Sequence, residues 1–243
     1  MRLTTGVFFA VVVILTCAGL KWGVHVFDAY QQEQIYSSFS KNTRLYHTTQ
    51  EIHQHLLKDN NLNPFYTPHD LTPSLEDERL KIYGYGPLVD PSEKKVRVLI
   101  VCGQHGREMV TSELCYTLIR LLQLYIRDSE ITEYIEGAKM KSVGFWIVPV
   151  ANPWARRMVE SNTSMACQRT NANNVDLNRN FPSIGKLTNN PRASLVEEYE
   201  GLNPLSEYET IALAEYIDYV GPHLVLNIHS GSHDILLPYD YTS

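Results

Sequence analysis

Val96-Arg97-Val98-Leu99-Ile100-Val101-Cys102-Gly103-Gln104-His105-Gly106-Arg107-Glu108 runs from an almost unbroken apolar stretch into a glycine-flanked histidine and an acid. The apolar part, Val96 to Cys102, reads as a strand covered on both faces, since a half-exposed strand would alternate apolar and polar. Downstream, Met109 to Ile126 carries Leu114, Leu118, Leu121 and Leu122 at helical spacing. Val143 to Val150 (VGFWIVPV) is a second buried strand, with Pro149 limiting its pairing near the end. Leu224 to Ile228 is a third, and Arg79 to Tyr83 a further strand upstream. Strands alternating with helices predict an α/β sandwich around a central, largely parallel sheet. In such folds ligands collect at the carboxyl ends of the strands.

The remaining segments fill in around that sheet. Thr48 and Glu51 have the spacing of a capping box, and Ile52, Leu56 and Leu57 give the helix that follows an apolar stripe. Pro64, Pro68 and Pro73 predict loop after it. A short helix is expected near Glu130–Glu136. The stretch from Asn152 to Leu205 is long, polar and rich in Asn and Arg, which reads as a functional loop. Ser206 and Glu209 predict a second capping box, ahead of a helix bearing Ile211, Leu213, Tyr216 and Ile217 and ended by Pro222.

The N-terminus carries a different message. Arg2 precedes an uncharged run from Leu3 to Leu20, closed by Lys21. That is the layout of a secretory signal peptide or a retained signal-anchor over residues 1–20. Cleavage after Ala18, with Thr16 at the −3 position, is one outcome and membrane anchoring the other. Residues 21–44 read as a linker, and 45–243 as one domain in the secretory pathway, secreted or facing the lumen from a membrane anchor. No folded inhibitory prodomain is expected between the apolar run and Tyr46. Asn162-Thr163-Ser164 is a glycosylation sequon. A net charge of −6 supplies no basic field for a nucleic-acid partner. Beyond Cys17, the three cysteines Cys102, Cys115 and Cys167 include no CxxC and indicate neither a disulfide framework nor a thiolate metal cluster.

Three polar clusters fall where chemistry is expected. His105 and Glu108 follow the first strand, His229 follows Leu224–Ile228 in Asn227-Ile228-His229-Ser230, and Asn178-Arg179 lies in Val175-Asp176-Leu177-Asn178-Arg179-Asn180-Phe181-Pro182. Where a strand turns into a helix, a histidine and an acid three positions apart can face one point. With a distant second imidazole they form the His2Glu donor set of a catalytic zinc that keeps one position open. An HxxE pair by itself is common on protein surfaces, and an isolated histidine is more often a hydrogen-bonded core residue. Two such groups after buried strands, with an Asn-Arg element between them, point to a site.

The order HxxE, DLNRNFP, SEYET and NIHS, opened by Tyr46-His47-Thr48-Thr49-Gln50-Glu51-Ile52, resembles the zinc metallocarboxypeptidases, the carboxypeptidase A-like peptidases. The likeness runs from about Tyr46 to Ser232. It implies a three-layer sandwich with a central mixed, largely parallel sheet. It also implies one Zn2+ per chain on His105, Glu108 and His229. Asn178 and Arg179 match the pair that grips a substrate's C-terminal carboxylate, a task suited to a planar guanidinium. Arg169 matches the arginine that polarises the scissile carbonyl and stabilises its developing oxyanion, with Arg156 and Arg157 as alternatives. The implied activity is removal of C-terminal residues from peptides or proteins.

One part of the family pattern is missing. The family's general-base glutamate lies well beyond the last histidine ligand. Here Ser230–Ser243 offers only Asp234 and Asp240. The expectation is therefore a carboxypeptidase-like domain whose C-terminal part is absent, leaving the Leu224–Ile228 strand with open edge and apolar surface. Two alternatives stand beside the exopeptidase: an inactive zinc- and peptide-binding protein, and a zinc-dependent deacylase of N-acyl amino acids.

Overall fold

The computed structural model describes residues 46–60, 67–70, 80–85, 96–127, 143–161, 163–182 and 197–237. The apolar run and linker at 1–44, the helix expected near Glu130–Glu136 and Asn162 of the sequon lie outside the described residues.

Five strands form one sheet: β1 (Thr67–Asp70), β2 (Lys81–Tyr85), β3 (Val96–Val101), β4 (Val143–Val148) and β5 (Leu224–Asn227), in the order β1-β2-β4-β3-β5. β3 runs parallel to both β4 and β5, while β2 is antiparallel to β4 and to β1. Four of the five strands therefore point the same way and only β2 opposes them, giving the mixed, mostly parallel sheet that was expected. β1 is an addition to the sequence reading, in which Pro68 marked loop. Proline is tolerated here because β1 is an edge strand, where a missing N–H can face away from the ladder. β2 begins two residues later than expected.

Alternation along the strands builds two cores. Val98, Ile100, Phe145 and Ile147 face one side, with Ile52 and Leu56 of α1 (Thr49–Asn60) and Cys115, Leu118, Ile119 and Leu122 of α2 (Met109–Arg127). Leu99, Val101, Trp146 and Val148 face the other, against Ala212, Leu213, Tyr216 and Val220 of the helix Tyr208–Val220. This makes three layers, helices on both faces of a sheet. Truncating a fully buried side chain such as Ile100 to alanine costs about 2–5 kcal/mol, the sum of lost transfer energy and a cavity.

The Thr48–Glu51 capping box forms as read: Glu51 N–H donates to Thr48 Oγ1 at 3.2 Å and Thr48 N–H to Glu51 Oε2 at 2.7 Å. The second box does not form. Glu207, not Ser206, is the cap residue of Tyr208–Val220, and the Ser206 hydroxyl donates to Glu207 Oε1 instead. The polar stretch after Asn152 is not wholly loop either. It opens with α3 (Pro153–Ser161), capped by Asn152 Oδ1 accepting from Ala155 N–H at 3.1 Å, and a 3-10 turn at Thr163–Met165. An Asn cap followed by Pro at the first helical position is a start signal, masked here by the polarity of Arg156, Arg157 and Glu160. Tyr208–Val220 is α4, the last helix of the described residues. Cys102 and Cys115 are joined as a disulfide, Cα atoms 6.2 Å apart, because α2 folds back over the end of β3. The cysteine pattern in the sequence indicated no disulfide framework, and this one bridge was not foreseen; Cys167 is free and exposed.

β5 lies at the other sheet edge, with no further strand paired to it among the described residues. Leu224 and Val225 are about half exposed, and Ile235, Leu236 and Leu237 beyond it are more exposed still. No helix among the described residues is long and apolar enough to cross a membrane.

Candidate metal centre

β3 and β5 are neighbours in register, Val101 opposite Asn227, so the residues that leave their carboxyl ends emerge side by side. From β3 the chain turns through Gly103 at φ +66°, where a Cβ would meet Ser112 Oγ at 2.5 Å, so only glycine fits the turn. Gly106 lies against the backbone of Ala155 in α3, where a Cβ would come within 2.6 Å. Between these close approaches His105 and Glu108 are fixed and buried. His229 arrives from β5 and is exposed.

The three sequence-predicted ligands converge. His105 Nδ1 lies 2.7 Å from Glu108 Oε1, and His229 Nδ1 lies 3.1 Å from Glu108 Oε2. The two imidazole rings have centroids 4.8 Å apart. One donor atom from each residue can be chosen so that all lie within 4.8 Å of one another. Zinc with bonds of about 2.0–2.1 Å to nitrogen and oxygen holds tetrahedral donors about 3.4 Å apart, wider than the two carboxylate contacts and inside the 4.8 Å limit. Two imidazoles and a carboxylate are also the right donor chemistry for it.

Asp176 completes the geometry and was not singled out from the sequence. Its Oδ1 lies 3.0 Å from His105 Nε2, and its Oδ2 accepts from Arg169 Nε and Nη2 at 3.0 and 2.6 Å. With Nε2–H donating to Asp176, His105 would turn the lone pair of Nδ1 to a metal at the point shared with Glu108 and His229 once Nδ1 gives up the proton it shares with Glu108. The only sequence cue for Asp176 was its place in DLNRNFP, three residues from Arg179. Burial works against charge on His105, but hydrogen bonds to Asp176 and Glu108 outweigh it and raise the imidazole above its ordinary value. Burial likewise opposes ionisation of Glu108, yet hydrogen bonds to His105 and His229 bring its carboxyl down to about 2. Against the same opposition, the bonds from His105 and Arg169 hold the Asp176 carboxyl below the usual range.

Arg169 thus lies in the site, its Nη1 3.8 Å from Glu108 Oε1 and 3.1 Å from His105 Nδ1. Arg156 is elsewhere. It is fully buried, donating to Glu160 Oε1, Met109 O and His47 O, and it ties the starts of α1 and α2 to α3. Asn178 and Arg179 are half-buried. Asn178 N–H donates to Asp176 Oδ1, and Arg179 Nη2 lies 3.4 Å from Glu198 Oε1. Their loop has no regular structure, so side-chain amides hold it. Buried Asn180 donates through Nδ2 to Glu200 O, Asn203 O and Ser206 Oγ, and its Oδ1 accepts from Thr210 Oγ1.

Comparison with known proteins agrees with this geometry. The family profile described as zinc carboxypeptidase (peptidase M14) matches residues 34–243. Carboxypeptidase B of Bos taurus is 31% identical over 167 residues, 62% of this chain and 37% of the relative. The inactive metallocarboxypeptidase ECM14 of Saccharomyces cerevisiae is 26% identical over 178 residues, 69% of this chain and 39% of the relative. Among solved structures, bovine thrombin-activatable fibrinolysis inhibitor in complex with tick carboxypeptidase inhibitor superposes with a TM-score of 0.65. It is 25% identical and the match covers 81% of this chain and 64% of that one. The chain spans well under half the length of these curated relatives. Taken with the convergence of His105, Glu108 and His229 beyond the ends of two parallel strands, the profile match settles the family: the chain belongs to the zinc carboxypeptidases.

Proposed function

We propose that the site binds one zinc ion and the free C-terminus of a peptide or protein, and that its chemistry is hydrolytic release of the C-terminal residue. The observation that carries this is the alignment, through Asp176, of three functions on one carboxylate. Asp176 touches the ligand His105, the cation Arg169 and the backbone of Asn178. His105, Glu108 and His229 hold the metal. Zinc bound there supplies a Lewis acid that polarises a carbonyl and lowers the pKa of water. Arg169 stabilises negative charge developing on the scissile carbonyl oxygen. Asn178 and Arg179 receive the terminal carboxylate, Arg179 exchanging its exposed contact with Glu198 for the ligand. A site in the secretory pathway, secreted or anchored by residues 1–20, is supported by the apolar run Leu3–Leu20 and by the Cys102–Cys115 disulfide, which persists in oxidising compartments.

A second reading, zinc and peptide binding without turnover, is favoured by a specific observation. One of the relatives, the metallocarboxypeptidase ECM14 of Saccharomyces cerevisiae, 26% identical over 178 residues, is described as inactive. The purified chain, with and without added zinc, should be given a peptide with a free C-terminus, the same peptide as its C-terminal amide, and an N-acyl amino acid. Zinc-dependent release of the last residue from the free acid alone supports the exopeptidase. Preferential binding of the free acid without release supports the second reading. Turnover confined to the N-acyl amino acid would replace both with a deacylase.

A further inference from the structure

Asn227 and Gln104 lie beside the candidate metal ligands in sequence, and neither has a task in the metal or carboxylate readings. Gln104 is buried, 1% exposed, and its carbonyl oxygen accepts from the buried Asn152 Nδ2 at 3.3 Å. Asn227, the last residue of β5, donates both hydrogens of its side-chain amide. One goes to Gln104 Oε1 at 2.8 Å and the other to Asn178 Oδ1 at 3.2 Å.

We propose that Asn227 is a positioning residue that fixes the side-chain amide of Asn178 with its nitrogen toward the carboxylate of a bound C-terminus. This rests on the carboxylate-binding reading of Asn178 and Arg179. An asparagine amide has a donor face and an acceptor face, and a half-turn about its last torsion exchanges them. A carboxylate accepts only, so Asn178 recognises it with Nδ2 and repels it with Oδ1. Asn227 selects between these faces by holding Oδ1 from behind. It can do so because its other hydrogen is engaged by a buried oxygen whose own backbone is tied to Asn152. A bond to Gln104 thereby sets the polarity of a side chain on a different loop. Asn227 touches neither metal nor substrate in this scheme and acts only through Asn178.

The test compares affinities of the purified chain for one short peptide as its free acid and as its C-terminal amide, by calorimetry. The ratio is the readout, because partial unfolding or altered zinc content lowers both affinities together. Asn227→Ala should reduce the free-acid preference about tenfold, the loss of one hydrogen bond to a charged group. In Asn178→Ala the preference should fall at least as far, and adding Asn227→Ala to it should change nothing more. Single variants whose effects multiply in the double variant, or an Asn227→Ala protein that keeps the full preference, would overturn the inference while leaving the carboxylate site intact. A native chain with no preference for the free acid would overturn the carboxylate site itself, and this inference with it.

Discussion

Asp176 Oδ1 lies 3.0 Å from Nε2 of His105, while the other oxygen of the same carboxylate accepts two bonds from Arg169. The group is fully buried, and its charge is maintained by these two partners. One side chain therefore orients a histidine of the candidate metal centre and the neighbouring cation together. A carboxylate behind a ligating histidine fixes its tautomer and raises its basicity.

Asp176→Asn, which preserves shape and removes the charge, is expected to weaken zinc binding by about 10–100-fold. Competition with a chelator of known affinity measures this. Asp176→Ala should be worse and should also lower the melting temperature, because Arg169 is then left without its closest acceptors. Unchanged zinc affinity in both variants would remove Asp176 from the site.

Glu198 holds Arg179 across an exposed 3.4 Å contact, so it competes with any carboxylate ligand for the same guanidinium. Exposed pairs are worth at most about 1 kcal/mol. Glu198→Gln should therefore tighten binding of a free-acid peptide by no more than about fivefold at low salt, with the gain shrinking as salt rises. Titrations at two ionic strengths check both the size and the salt dependence. A loss of affinity in this variant would mean that Glu198 helps to orient Arg179 and does not compete for it.

The parts of the site that could be read from sequence were those fixed locally. His105 and Glu108 follow a strand whose apolar run is unmistakable, and His229 follows another, so register and turn place them with little help from the rest of the chain. Asp176 was hidden because its function is a contact between residues 71 positions apart. The Gln104–Asn227 contact spans 123 positions and was equally invisible. The second capping box failed for a related reason. Asn180, 27 positions upstream, bonds to Glu207 N–H and Thr210 Oγ1, and this contact draws the helix start one residue onward. Local pattern also misread Pro68, since its tolerance in β1 depends on that strand lying at an edge.

The Cys102–Cys115 bridge closes a loop that contains Gly103, His105 and Glu108, and it pins the end of β3 to α2. Closing a loop of this size stabilises a fold by about 3 kcal/mol. Cys115→Ala or added reductant should lower the melting temperature by several degrees and weaken zinc binding, because the turn at Gly103 loses one of its anchors. Alkylation of the folded, unreduced protein should label the exposed Cys167 and spare Cys102 and Cys115. Labelling of Cys102 without reductant would show the bridge to be unformed.

His53 makes the fold sensitive to mild acid. It lies in the core beside Tyr83, Nδ1 2.6 Å from the phenol oxygen. Burial, with Lys81 adding to it, takes its pKa from 6.5 to about 3. Both states are neutral at pH 7, but between these values the unfolded chain binds a proton that the folded chain refuses. Stability should therefore fall as pH drops below about 6.5, by about 1.4 kcal/mol per pH unit at full slope, and the loss should level off near pH 3. His105 does not oppose this trend, since a raised pKa contributes stability that is already complete below pH 6.5. Glu108 and Asp176, whose pKa values are lowered, stabilise above the ordinary carboxylate range and lose that contribution only under more acid conditions. The interval from about pH 6.5 to 4.5 therefore separates the histidines from these carboxylates; His55, which burial and the neighbouring cations also lower, contributes in the same sense but is far less buried than His53. Urea unfolding across it should show a slope that His53→Gln removes in large part, even though that variant is the less stable protein at pH 7. An equal slope in the two proteins would mean that the imidazole is protonated, and solvated, within the fold.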